Sequence, residues 1–186
     1  MREEIVGAGL AQFHERGFNA AAVKDITDRA GVPKGSFYNH FESKEALAMV
    51  ALERYGVEVR LTDLADESVE PVARIRGHFE FLRDGVIDSG LTKGCLLGNF
   101  GTEIIDHSET IRTGVRDGLA AWTRLLSQAI AAGQEAGGIR TELDPDQAAR
   151  YLLSAWEGTL IQVRAYKSAD VFDSFFELTF GAILAA

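Results

Sequence analysis

Apolar residues recur along this chain at helical spacing, and nowhere in the strict alternation of a half-buried strand. Val6, Leu10 and Phe13 fall at i, i+4 and i+7 in a first helix that stops at Gly17. Val23, Ile26 and Ala30 repeat the pattern up to Gly31. Val32-Pro33 then punctuates the chain. Proline suits a first helical position and turns its predecessor away from helix, so a short third helix is predicted from Pro33, with Phe37 and Phe41 on one face. Ser43 as N-cap and Glu45 in the first turn predict a fourth helix to about residue 64. Five more are predicted, over about 70–89, 94–107, 109–136, 145–167 and 170–185. Gly137-Gly138 stops one of them. Asp144, Pro145 and Gln147 supply an N-cap, a first-position proline and the outer residue of a capping box for the next. The pattern as a whole predicts an all-α chain of about nine helices.

Composition narrows the class of protein. Hydrophobic residues are 46% of the chain and charged ones 25%, a soluble globular balance. Met1 is followed by Arg2, Glu3 and Glu4 within an amphipathic run, and no apolar stretch approaches the ~20 residues needed to span a bilayer. A cytoplasmic protein with no membrane partner is expected. The single cysteine, Cys95, excludes an intramolecular disulfide. The net charge of −9 is unevenly spread: residues 1–50 hold six Lys/Arg against seven Asp/Glu, and residues 51–186 hold thirteen against twenty-one. An anionic partner must therefore meet the N-terminal part, because the remainder repels it.

The string GVPKGSFYNHFESKEAL, residues 31–47, lies in that nearly neutral part. Three short helices with a tight Gly-containing turn between the second and third match a helix-turn-helix, whose second helix enters the DNA major groove. Packing Phe37 and Phe41 against Phe13, Val23 and Ile26 leaves Lys34, Gly35, Ser36, Tyr38, Asn39 and His40 facing outward. The unpaired N–H groups at the start of the helix suit a phosphate or base edges.

This string resembles the helix-turn-helix signature of TetR-type transcription regulators, and the resemblance runs over residues 1–60. It implies a DNA-binding domain over 1–45 and an effector-binding and dimerisation domain over 46–186. The function implied is a homodimeric regulator, a repressor of a palindromic double-stranded operator. Carried over position by position, Lys34, Gly35, Ser36, Asn39 and His40 meet bases or backbone, and Tyr38 and Lys44 hold phosphates. Two departures stand out. Ala20-Ala21-Ala22 occupies the place where the family often caps the second helix with Ser or Thr, so one backbone contact is expected to be lost. The basic arm that many members carry before the first helix is missing, unless the chain has been shortened.

Further on, TKGCLLGNFGTE, residues 92–103, sets Cys95 beside Gly94, with Gly98 and Gly101 softening the predicted helix by roughly 0.5–1 kcal/mol each against alanine. A helix N-terminus and nearby Lys93 favour a thiolate that reacts with oxidants or electrophiles. The other reading of Cys95 is a small buried hydrophobe. The segment also resembles the C-terminal domains of the subgroup containing the N-ethylmaleimide-responsive and acrylate-responsive repressors, which implies a sensing thiol.

A rival class is a helical enzyme or small-molecule carrier with Cys95 as nucleophile. On one straight helix His107 lies about 18 Å from Cys95, too far for a nucleophile–base pair, and His14 and His78 lack an apparent third group to orient them. Glu103 and His107 at i, i+4 are two metal ligands without a third, so no metal and no cofactor are expected.

A small-molecule effector or reactive electrophile would be received among the later helices, with Phe79, Leu82, Cys95, Phe100, Trp122 and Trp156 as candidate lining. Leu152, Trp156, Thr159, Val163 and Tyr166 form one stripe, and Leu153 and Leu160 part of another. Phe172, Phe175, Phe176, Phe180 and Ile183 cover more than one face of the last helix. Helices this apolar must bury two sides, so Leu152, Trp156, Thr159 and Val163 together with those last-helix residues are the expected homodimer interface.

Overall fold

The computed structural model describes residues 1–186 and contains nine α-helices and no strand. They are α1 (Arg2–Ala20), α2 (Val23–Ala30), α3 (Lys34–Tyr38), α4 (Lys44–Glu58), α5 (Pro71–Asp88), α6 (Leu96–Glu103), α7 (Glu109–Glu135), α8 (Pro145–Tyr166) and α9 (Val171–Leu178). A 3₁₀ turn, Leu61–Ala65, precedes α5, and a π turn, Thr179–Ile183, follows α9. No helix is long and apolar enough to cross a membrane.

The chain divides into two compact units. The first holds Met1–Glu58 and Cys95–Leu119, so α6 and the start of α7 join α1 to α4. Its core is built on Ile5, Phe13, Ile26, Phe37, Leu47 and Phe100, all fully buried. The helix ends follow their sequence signals. Gly31 ends α2 in the left-handed region (φ 68°), where the Gly31 N–H donates to the Asp28 carbonyl and the Val32 N–H to the Thr27 carbonyl. Ser43 Oγ accepts from the Ala46 N–H at 3.0 Å and opens α4. Ala22, at the N-cap of α2, makes no side-chain cap.

The second unit holds Val59–Gly94 and Ala120–Ala186. Its centre is an aromatic cluster. Trp156 lies 5.2 Å from Phe79, 5.5 Å from Phe172 and 5.1 Å from Phe175, between ring centroids. Such pairs add about 0.5–1.5 kcal/mol each beyond the burial of their area. Asp144 caps α8 as the sequence predicts, accepting from the Gln147 N–H at 2.8 Å.

Four boundaries differ from the periodicity. The chain leaves helical geometry at Gly17 (φ 76°, ψ 175°) but resumes for one short turn, Phe18–Ala20. The fourth helix ends at Glu58, because Arg60 takes a left-handed conformation and starts the separate 3₁₀ turn. The sixth is only eight residues long: the Thr102 hydroxyl donates to the carbonyls of Gly98 and Asn99, and Ile104 turns to φ −135°. The last helix widens into the π turn after Leu178.

Candidate nucleic-acid interface

Phe37 and Phe41 anchor α3 from below. Both are buried, with rings 5.7 Å apart. That fixes which residues point away: Lys34, Gly35, Tyr38, Asn39 and His40 are exposed and Ser36 is half-buried. Tyr38 is 58% exposed although its ring meets Phe37 edge-on at 5.2 Å, so its hydroxyl end lies in solvent. The six residues therefore share one accessible surface on and just after α3.

The cations of the first fifty residues are mostly committed to other groups. Arg2 pairs with Glu3, Arg16 with Asp25, Lys24 with Asp28 and Arg29 with Glu15. Lys34 alone among them makes no hydrogen bond or ion pair within the chain. Lys44 is turned inward: its Nζ donates to the Phe18 carbonyl at 2.7 Å and sits 4.3 Å from the centre of the Phe18 ring. Burial pushes its pKa down, and the nearby Glu103 carboxylate pulls it back up.

That inward turn belongs to a corner that periodicity does not reveal. The break at Gly17 frees the backbone N–H groups of Phe18 and Asn19, and they donate to the two carboxylate oxygens of Glu103 at 2.8 and 2.7 Å. A Cβ at position 17 would stand 2.4 Å from Glu103 Oε2, and the positive φ already disfavours any other residue. Phe13 and Phe18 meet Phe100 at 5.5 and 5.8 Å. Thus α6 grips the α1–α2 corner, which Lys44 ties in turn to the start of α4. Glu103 and His107 do not share a helix, since α6 ends at Glu103. No local signal marks the Glu103 contact, because its partners lie 84 and 85 residues away.

The residues expected to receive an effector are separated by the two units. Cys95 and Phe100 lie in the first, and Phe79, Leu82, Trp122 and Trp156 in the second. Cys95 is the N-cap residue of α6 and is buried, 3% exposed. Phe79, Trp122 and Trp156 are fully buried, and Leu82 is half-buried. Two cavities open in the second unit. One, of about 270 Å³, lies between the 3₁₀ turn and α5. The other, of about 190 Å³, is a groove between α8 and α9.

The residues expected to pair two chains divide by burial. Leu152, Trp156, Val163, Phe172 and Phe175 are buried within the chain's own core, and Thr159 is 8% exposed. The aromatic cluster accounts for this, since the inner faces of α8 and α9 close on Phe79. Phe176 and Phe180 stack on each other at 6.0 Å and lie under Arg83 and Arg76. Ile183 is half-buried at the groove. The large apolar residues left exposed on these helices are Tyr151, Ile161, Tyr166 and Leu178.

Comparison with known proteins bears on the family and the fold. Residues 5–49 match the family described as bacterial regulatory proteins, tetR family. Residues 71–178 match the one described as tetracyclin repressor-like, C-terminal domain. The chain is 37% identical to the HTH-type transcriptional repressor DhaR of Mycobacterium sp. (strain GP1), over 99% of this chain and 92% of that protein. Its fold is similar to that of regulatory protein TetR from Rhodobacter sphaeroides, with a TM-score of 0.89, 31% identity and 98% of each chain covered. It is also similar to reduced E. coli NemR, with a TM-score of 0.88, 29% identity and 100% of this chain and 98% of that one covered.

Proposed function

Since the chain belongs to the TetR family of DNA-binding transcription regulators, we propose that it is a repressor that binds a palindromic operator as a homodimer and is released by a signal received in residues 46–186. The observation that carries the DNA-binding surface is Lys34, exposed on α3 and the one cation of the head without a partner in the chain. Lys34, Gly35, Ser36, Asn39 and His40 face the groove, and the exposed Tyr38 hydroxyl reaches a phosphate. Lys44 serves the corner first, and the rest of its ammonium is left for the backbone of the DNA.

Two heads are needed because one carries so little positive charge. In a simple helix-turn-helix dimer the recognition helices enter grooves about 34–36 Å apart. The exposed Tyr151 and Leu178, beside the groove between α8 and α9, are the apolar surface that a second copy covers. Release needs only that the effector bind better to a conformation in which the two heads no longer match the operator. The lever we assign is α6, with Cys95 at one end and Glu103 at the other, about 12 Å apart along eight residues. A shift of α6 is felt at the Phe18–Asn19 corner through the Glu103 carboxylate.

A gel-shift assay with the DNA flanking the protein's own gene tests this reading. Wild type should give a specific, salt-sensitive complex that Lys34→Ala with Tyr38→Ala loses. Equal binding by both proteins at physiological salt would sink it. The relative from E. coli was solved in a reduced form, and a thiol signal at Cys95 is tested by treating the DNA complex with N-ethylmaleimide. Release that Cys95→Ser prevents supports the thiol; equal release from both proteins removes it from the mechanism.

A further inference from the structure

The cavity between the 3₁₀ turn and α5 contains polar groups that the fold leaves without partners. Glu70 caps α5, its carboxylate accepting from the N–H groups of Val72 and Ala73 at 3.1 and 2.9 Å. Ile75 and Phe79 face the core, while Arg74 and His78, one turn apart, line the cavity. Both are more than nine-tenths buried. Arg74 Nε and both ring nitrogens of His78 have no hydrogen-bond partner. Burial holds the imidazole neutral, its pKa pushed down to about 4.

The other charged residues of the cavity are already engaged. Arg60 pairs with Asp63. Asp66 accepts from the N–H and hydroxyl of Ser68 at 3.0 and 2.6 Å, and the Arg74 charge is only the smallest of the influences on it. One buried guanidinium is therefore left to be met, with a neutral imidazole one turn further along. Leaving such groups unpaired costs about 1–3 kcal/mol each, and more for a charged one, so an acceptor arriving in the cavity recovers that cost. The outer wall carries two large apolar side chains, Val69 and Phe81, beside Arg60, whose guanidinium lies 4.9 Å from the centre of the Phe81 ring. A volume of about 270 Å³ lies just below the ~300–1,000 Å³ of pockets for drug-sized ligands.

We propose that this cavity binds a small organic carboxylate, a short-chain or single-ring acid, with its carboxylate on Arg74 and His78 and its apolar part along Val69 and Phe81. Its use as the releasing effector rests on the regulator reading above. A planar fork is the side chain best matched to a carboxylate, and Val69 and Phe81 favour an organic acid over an inorganic anion.

Isothermal titration of the full-length chain with sodium benzoate, benzamide and inorganic phosphate, without DNA, tests the site. Benzoate should bind saturably at one per chain, and benzamide and phosphate at least about tenfold more weakly. Arg74→Gln should lose at least about tenfold in benzoate affinity while melting no lower than wild type without ligand, because a buried unpaired charge has gone. The proposal is overturned if benzoate does not bind, if benzamide or phosphate binds as tightly, or if Arg74→Gln binds benzoate as wild type does. Should that variant not fold, the contrast between benzoate and benzamide on the wild-type chain still decides. The effector role is read separately. Benzoate should release wild-type protein from its operator but not Arg74→Gln, and binding without release overturns that role. Failure to bind DNA at all would leave the titration result intact and strike only the regulator reading.

Discussion

Glu103 illustrates how one side chain can join distant parts of a chain. Its carboxylate satisfies two backbone N–H groups that a glycine break leaves open, and hydrogen bonds to a charged group contribute about 1.5–3 kcal/mol each at most. Both bonds are partly or wholly exposed, so Glu103→Ala should cost about 1–3 kcal/mol in total by urea denaturation. It should also weaken operator binding, although Glu103 lies far along the chain from α3. A variant with wild-type stability and wild-type operator affinity would remove the latch from the account. His78 makes a second prediction at this scale. Its pKa is about 4 in the folded chain against 6.5 when unfolded, so between those values the unfolded chain binds the extra proton. Stability from this group is present above pH 6.5 and is lost as pH falls towards 4, about 3 kcal/mol in all. His78→Phe should flatten that part of the stability–pH curve. An unchanged slope between pH 6.5 and 4 would show that another group titrates there.

Among the elements, α3 is legible in the sequence, whereas α6 is legible as a helix but not in its C-terminal end or its contacts, for a physical reason. Val32-Pro33, Gly31 and the Phe37/Phe41 spacing are local signals, and the backbone obeys them within a residue or two. Glu103, by contrast, finds its partners across 84 and 85 residues, and no periodicity reports such a contact. The faces of α8 and α9 escape the sequence for a related reason. Their apolar stripes are wide enough for two destinations, and it takes the packed cluster of Phe79, Trp156, Phe172 and Phe175 to show that Trp156 and Phe172 turn inward while Tyr151 and Leu178 stay outside. Arg74 and His78 carry no sequence motif at all; they become notable only when the fold buries them without partners. For α3 the prediction is direct. Lys34→Ala and Tyr38→Ala are surface changes and should shift unfolding free energy by no more than about 0.5 kcal/mol. Loss of operator binding in a protein of unchanged stability would place these side chains at the DNA; loss accompanied by unfolding would not.

At the scale of the whole molecule, the acidic charge and the nearly neutral head predict that a lone chain should bind DNA weakly. Pairing through Tyr151 and Leu178 is what supplies affinity in this account. Tyr151→Glu with Leu178→Glu should give a folded monomer by sedimentation velocity, with its circular dichroism spectrum unchanged. If it remains a dimer, the pairing surface lies elsewhere. The most direct measurement is a fluorescence anisotropy titration of the DNA upstream of the protein's own gene, repeated across a range of salt. With Lys34 free and Lys44 partly committed to the Phe18 corner, a dimer neutralises at most about four phosphates, so log K should fall against log salt with a slope no steeper than about −3.6. Saturation at a multiple of two chains per site, that shallow slope, and loss of specific binding in both the Lys34→Ala/Tyr38→Ala and Tyr151→Glu/Leu178→Glu proteins are the expected results. Wild type and both variants binding this DNA and an unrelated sequence with equal affinity would contradict the repressor reading.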